Sequence, residues 1–437
     1  MSAAERDQQG GRLSVDGARL LADLEALARF GRGPGGGISR TSFSEADTQA
    51  RAWYRARCAE AGLSVEVDGV GNMFVSSPDE PTALRGVPAV WTGSHLDSVP
   101  NGGRFDGALG SLAALECVRR LHEERVPLRR PVRAVVYSDE EGNYAHLFGS
   151  SALVRGFSRA ELEALSGRGG DRFVDAFMAA GWDPELATET TVDPAVIHAT
   201  VELHIEQGPQ LESVGHRIGI VTSIVGLGGG TVTFRGRADH AGTTPMTMRK
   251  DALRAASALI VRFPEIARSV SDRAVITAGV VTVEPGATNV VPEIARLTVD
   301  FRDLELARVD ELGRAITEAA RGVATEHELE VDIEFEPTIP PCRLDGGIQR
   351  IIGEAAAARD LSAVAMPSGA GHDSQNMATL APTGMIFVPS IGGRSHCPEE
   401  NTAADDVVNG ANVLLDTVLA LATDTPNAAV PLANPNI

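Results

Sequence analysis

Three histidines and three carboxylates stand where a pair of divalent ions could be held. His95 closes an apolar run in TGSHLDSVPNGGRFDG, Asp106 follows in the Gly-rich loop, and Glu140 and Glu141 close the next apolar run. His204 lies in ELHIEQG and His396 in GGRSHCPEEN. Neutral imidazole and ionised carboxylate suit Zn²⁺, Mn²⁺, Co²⁺ or Ni²⁺. Two such ions ~3.5–4 Å apart need a shared carboxylate and a water to act as nucleophile. Taken singly, any of the ten histidines is more often a surface or core residue than a ligand. Spacing does not join residues as distant as His95 and His396. Residue types therefore suggest a dinuclear centre without fixing its ligands.

Short apolar strands alternating with helices must carry these residues. Residues 14–30 and 44–61 read as helices, the second with Ser44 as N-cap and Gly62 just past its end. VPAVWTGSH reads as a buried strand, Gly110 to Leu121 as a helix, and PVRAVVYSDEE as another strand. This rhythm predicts a mostly parallel sheet covered by helices, with chemistry at the carboxyl ends of its strands. Residues 158–192 read as a polar, helical excursion. From residue 223 the pattern becomes strand-rich with period-2 alternation, with helices at about 250–262 and 305–325. After residue 336 the α/β rhythm returns. The expected fold class is α/β with two domains. A catalytic domain in two segments, 1–222 and 337–437, carries a mostly parallel sheet, and an α+β sandwich at 223–336 is inserted between them. The tail at 425–437 is expected to fray.

At 437 residues the chain exceeds what one core usually supports. Hydrophobic residues at 43% and charged residues at 22% exclude wholesale disorder. A formal net charge of −20 disfavours nucleic acid and anionic membrane as partners, since both repel an acidic surface. A small anionic substrate is compatible, because a few local Arg and His residues can bind it. The four scattered cysteines form no CxxC pair and read as reduced thiols. The N-terminus is polar, and no apolar run reaches the ~18 residues of a membrane span. The expected location is cytoplasmic.

The ordered strings GSHLDSVPNGGRFDG, DEEG, ELHIEQGPQLE, GRADHAGTTPM, GATNVVP, DFRD, SGAGHDS and SHCPEE resemble those of the M20 metal-dependent amidohydrolases. The likeness is to the branch of N-carbamoyl-L-amino acid hydrolases, allantoate amidohydrolases and β-ureidopropionases, and it covers the chain from about residue 20 to 422. The resemblance implies two divalent ions per subunit. His95 and His204 hold one, Glu141 and His396 hold the other, and Asp106 bridges them. Glu140 is then the general base that takes a proton from the attacking water and returns it to the leaving nitrogen; an outer-shell carboxylate is the alternative. Asp97 is placed to accept the His95 imidazole N–H, or is a simple surface residue. In the inserted domain, implied to serve as dimerisation and lid domain, His240 resembles the histidine that steadies the tetrahedral oxyanion, often across a homodimer interface. Asn289 and Arg302 resemble substrate-binding residues, and Arg302 suits a bidentate grip on a carboxylate. Pairing of Arg302 with Asp300 or Asp303 is the plainer reading. Gln207 and the backbone around Gly371 are further substrate-binding candidates, and His372 is equally a site support or a structural residue. The implied substrate is a small ureido acid, first of all an N-carbamoyl-L-amino acid, with allantoate or N-carbamoyl-β-alanine close rivals.

The chain departs from the family pattern after DEEG. Relatives commonly carry a small residue, Arg and Phe and then a Gly-Met-rich turn, where this chain has GNYAHLFGSS. Asn143 and Tyr144 therefore put fine specificity in doubt. His146 reads as a loop histidine and Cys397 as structural.

Overall fold

The computed structural model describes residues 12–423, so the expectation for the tail at 425–437 lies outside the described residues. Among the described residues thirteen strands are found: β1 (Ser64–Val67), β2 (Met73–Ser76), β3 (Ala89–His95), β4 (Val132–Tyr137), β5 (Ile197–Ile205), β6 (Ile218–Ile224), β7 (Gly226–Arg235), β8 (Val275–Glu284), β9 (Ile294–Asp303), β10 (Glu330–Phe335), β11 (Cys342–Arg343), β12 (Ala363–Ser368) and β13 (Thr383–Val388). The chain divides into two compact units, one of residues 1–222, 344–366 and 372–437, the other of 223–343 with 367–371.

In the first unit the strands run in the order β1-β2-β4-β3-β5-β13-β6, with β12 also against β6. The four central strands, β4-β3-β5-β13, are parallel, and β1, β2 and β6 pair antiparallel at the margins. The parallel character expected of the sheet thus holds at its centre. Alternation sorts its side chains between two cores. Val90, Ala134, Val136 and Leu203 face the helices Ala108–Glu123 and Ala404–Thr423, while Ala89, Trp91, Val135 and Tyr137 face the other side. Burial on both faces explains why β3 and β4 read as near-continuous apolar runs rather than alternating ones.

The helix Glu45–Glu60 begins where its cap dictates, with Ser44 Oγ accepting the Asp47 N–H at 3.3 Å. It ends ahead of Gly62, whose φ of +71° suits a residue without Cβ. The excursion at 158–192 folds as the short helices Arg159–Ala164, Phe173–Ala179 and Pro184–Ala187. An aromatic cluster of Phe43, Phe148, Phe157, Phe173 and Phe177 holds them. The helix Ala404–Thr423 is long and apolar enough to cross a membrane, with a mean hydropathy of 1.2. Asp405, Asp406 and Asp416 interrupt it, so its unbroken apolar runs stay short, as expected. Its face of Val407, Ala411, Leu414, Leu415 and Val418 is spent in the core, which accounts for its apolar character without a bilayer. All four cysteines carry free thiols.

In the second unit an antiparallel sheet, β10-β7-β9-β8, packs one face against the helices Ala252–Val270 and Leu306–Glu326 through Phe234, Leu259, Phe263, Leu297 and Ile316. The first helix runs past the expected end near 262 and through Pro264. Leu259, Phe263 and Ala267 keep its buried stripe going, and that burial outweighs the lost backbone hydrogen bond. The unit also continues beyond the expected boundary at 336. Leu227 and Ile339 exchange N–H···O bonds of 3.0 and 2.9 Å, and Cys342 pairs with Ile224.

The contact that seats the site is the one between the helix Ala108–Glu123 and the sheet. A Cβ at Gly110 would lie 2.3 Å from the Leu203 carbonyl and 2.7 Å from Ser94 Cβ. Gly110→Ala should therefore force the helix off β3 and β5 and cost about 1–3 kcal/mol, read as a lowered urea midpoint. An unchanged midpoint would show that the packing is looser than described.

Candidate metal centre

The carboxyl ends of β3, β4 and β5 and the loop after β13 deliver the expected ligands to one place. His95 is the last residue of β3, and its Nδ1–H donates to the main-chain oxygen of Asp97 at 3.0 Å. His204, near the end of β5, donates from Nδ1 to the Ile205 carbonyl at 2.9 Å. A carbonyl can only accept, so the neutral ring carries its proton on Nδ1 and turns an Nε2 lone pair inward. Asp106 Oδ1 lies 3.5 Å from His95 Nε2 and 3.2 Å from His204 Nε2. Its other oxygen, Oδ2, lies 3.3 Å from His396 Nε2, which stands 3.6 Å from Glu141 Oε2. Two groups of potential ligand atoms thus form, His95–Asp106–His204 and Asp106–Glu141–His396, each within 4.8 Å. They share one carboxylate, with one oxygen to each group.

Glu140 is in neither group; its Oε2 lies 3.5 Å from His95 Nε2. Asp97 accepts the His95 imidazole N–H, though not through its side chain. It meets the His95 N–H with its main-chain oxygen, while its carboxylate accepts the N–H groups of Glu140 at 3.4 Å and Glu141 at 3.1 Å. Those buried amides need an acceptor, and Asp97 thereby holds the turn that presents both glutamates. Gln207, a substrate-binding candidate, donates from Nε2 to Asp106 Oδ2 at 2.7 Å.

His95, His204, Asp106 and Glu140 are almost fully buried. Burial alone would push Asp106 upward, but the neighbouring His204, His396 and His95 rings outweigh it and hold its pKa well below the usual carboxylate range. Burial pushes Glu140 well above that range, despite the opposing pull of His95. Glu141 rises to about 7, by burial and then by the charge of Asp106. The hydrogen bond to Asp106 is the largest cause that lifts His396 to about 9. His95 Nε2 and Glu141 Oε1 are moreover buried without a hydrogen-bond partner. Imidazole and carboxylate donors in two adjoining groups fit a pair of divalent ions.

A third group, Glu202–His204–His372, is otherwise engaged. Glu202 accepts Ser94 Oγ at 2.8 Å and Ser374 Oγ at 2.6 Å, and the buried His372 ring packs edge-on against His204 with centroids 4.6 Å apart. Asn143 and Tyr144 turn their N–H groups to the Asp139 carboxylate at 2.8 and 3.0 Å. His146 is an exposed loop residue.

The remaining candidates lie in the second unit. His240 Nδ1 accepts the N–H groups of Gly242 at 3.0 Å and Thr243 at 3.2 Å. Asn289 is its neighbour across a backbone bond from Ala241 N–H to Asn289 O, 3.0 Å. Arg302 grips Asp300 with Nε and Nη2 at 2.8 and 3.0 Å and donates from Nη1 to the Gly369 carbonyl at 3.0 Å, close in sequence to Gly371. The ion pair with Asp300 is thus the geometry found. Sequence reasoning does not single out Ser395 and Glu400, although both lie in the string SHCPEE. Ser395 Oγ is 3.0 Å from Asp106 Oδ2 and 2.8 Å from Glu400 Oε2.

Paired imidazole–carboxylate groups at the carboxyl ends of a parallel sheet, with an unused carboxylate beside them, are the donor set of a metal-dependent hydrolase. Residues 91–420 match the peptidase family M20/M25/M40. The chain is 36% identical to the N-carbamoyl-L-amino acid amidohydrolase of Geobacillus stearothermophilus, over 93% of this chain and 99% of that protein. It is 34% identical to the allantoate amidohydrolase of Escherichia coli strain K12, over 90% and 94%. Among solved structures, the hydantoinase/carbamoylase family amidase of Burkholderia vietnamiensis superposes with a TM-score of 0.85 at 33% identity, covering 94% of this chain and 98% of that one. The chain belongs to the M20 family and is an amidohydrolase.

Two outcomes follow from the geometry. Gly107 has φ +62°, and a Cβ there would stand 2.3 Å from His95 Nε2. Gly107→Ala should displace that ring and weaken Mn²⁺ binding at least tenfold, on the order of an outer-shell loss; calorimetric titration with unchanged affinity would contradict the ligand assignment. Because bound ions favour the folded state, Mn²⁺ at a thousandfold excess over its Kd should stabilise the metal-stripped protein by about 4 kcal/mol. A thermal midpoint indifferent to Mn²⁺, Zn²⁺, Co²⁺ and Ni²⁺ would speak against a metal centre.

Proposed function

We propose that the protein hydrolyses N-carbamoyl-L-amino acids to the L-amino acid, CO₂ and ammonia. The observation that carries this reading is the Asp106 carboxylate shared between two ligand groups, with Glu140 beside them and in neither. Two divalent ions held there supply Lewis acidity and an acidified water. The ligand roles are those implied by the resemblance: His95 and His204 on one ion, Glu141 and His396 on the other, Asp106 on both.

Glu140 is the general base. Its turn is fixed by Asp97, and burial raises its proton affinity, so it can take a proton from the attacking water and hand it to the departing nitrogen. Overall the ureido group and one water give the amine, CO₂ and ammonia. His240 is the oxyanion donor. Two backbone N–H groups point at its Nδ1, so the neutral ring keeps its proton on Nε2 and offers it outward. In the homodimer we propose, this histidine serves the partner's site, and the second unit acts as dimerisation and lid domain. Arg302 holds the substrate carboxylate, and Asn289, Gln207 and the Gly371 backbone are the further substrate-binding residues that the resemblance implies. Asp300 and Gly369 fix the guanidinium and leave N–H groups on Nη1 and Nη2 for the ligand. Allantoate is the second reading, favoured by the Escherichia coli relative. A cytoplasmic location goes with either.

The test is ammonia release from a panel of N-carbamoyl-L-amino acids, N-carbamoyl-β-alanine and allantoate by metal-loaded protein. Turnover led by N-carbamoyl-L-amino acids is expected; preference for allantoate would install the second reading, and no turnover of any ureido acid would end both. Glu140→Gln should lower kcat by about 10²–10⁴-fold with metal content retained. A loss below tenfold would remove Glu140 from the base's role.

A further inference from the structure

Asp106 stands in a loop, and one distant side chain holds that loop in place. Glu400 Oε1 accepts the N–H of Phe105 at 2.9 Å and of Asp106 at 3.1 Å, while Oε2 accepts the Ser395 hydroxyl at 2.8 Å. Glu400 is only 3% exposed. Its carboxylate lies so close over the loop that a Cβ at Gly103 would meet it at 2.0 Å. Arg104 Nη2 adds a bond of 3.3 Å to Asn401 Oδ1. With both oxygens engaged in this way, Glu400 has the contacts of a brace rather than of a ligand.

We propose that Glu400 is a positioning residue for the second of the two cation groups. It locks the loop that carries Asp106 to the loop that carries His396, and so sets where Asp106 Oδ2 stands relative to His396 and Glu141. The proposal rests on the dinuclear reading of the site. The first group does not depend on this brace for its imidazoles, because His95 and His204 leave the ends of β3 and β5 with their rings fixed by neighbouring carbonyls. The second group has no such support at His396. That residue lies in a loop at φ +56°, with half of its side chain exposed, and the ties from its loop to the Asp106 loop run through Ser395, Glu400 and Asn401. Removing the carboxylate also orphans two buried amides, so the Asp106 loop must shift to find other acceptors.

The experiment is calorimetric titration of Mn²⁺ into metal-stripped full-length protein, with electron paramagnetic resonance to detect the spin-coupled pair. Wild type should bind two ions per chain. E400A should bind the first within about threefold of wild-type affinity and the second at least tenfold more weakly, the range of outer-shell losses at metal sites, with the coupled signal gone at two equivalents. E400Q, whose amide oxygen still accepts both backbone N–H groups, should recover two-ion binding. Gly103→Ala keeps Glu400 but drives a methyl group into its carboxylate, and should repeat the selective loss should E400A fail to fold. Equal weakening of both ions in E400A and Gly103→Ala, or wild-type binding of both, overturns the proposal alone. Failure of E400Q to rescue does the same. Fewer than two ions in wild type overturns the dinuclear reading beneath it.

Discussion

Asp106 is a carboxylate with almost no access to water, yet it sits among partners that favour its ionised form. Its two oxygens face different sets of groups: His95 and His204 on one side, His396 on the other. A buried charge of this kind persists only where hydrogen bonds and opposite charge replace its hydration. Those replacements come from residues spread over some three hundred positions of the chain, so the sheet must bring four strand ends together before the carboxylate can be held. The closeness of the helix Ala108–Glu123 to β3 and β5, the Gly107 backbone against the His95 ring and the Glu400 brace all serve that one carboxylate.

The same constraint separates the jobs of the two adjacent glutamates. Asp97 fixes the turn at their main chain, and from there Glu141 points toward His396 while Glu140 points toward His95. Burial raises both, and a neighbouring carboxylate adds to it, Glu141 for Glu140 and Asp106 for Glu141. A carboxylate that is easily protonated and lies in neither ligand group is suited to carry protons, and one that faces an imidazole across an ion-sized gap is suited to bind a cation. Neighbours in sequence thus acquire different chemistry from geometry alone.

Much of this was legible in the residues. The buried character of VPAVWTGSH, the Ser44 cap and the period-2 strands after residue 223 follow from burial and capping, which act locally and leave local patterns. The meeting of His95 with His396 leaves no such pattern, and only the ordered family strings joined them. Glu400 was missed because its function is to bind backbone N–H groups far away in sequence, and a backbone amide has no side-chain signature. For a related reason, spacing puts Asp97 near His95 but cannot tell whether its carbonyl or its carboxylate makes the contact. The helix through Pro264 shows tertiary burial overriding a local stop signal, and the unit's extension to Arg343 shows backbone pairing doing the same.

The central claim is that Asp106 joins two cation positions. Anomalous X-ray scattering at the manganese edge, from crystals of the protein grown with Mn²⁺, tests it most directly. The expected result is two peaks ~3.5–4 Å apart, one bounded by His95 and His204, the other by Glu141 and His396, with one oxygen of Asp106 toward each. A single peak, or two peaks that do not share Asp106, would contradict it.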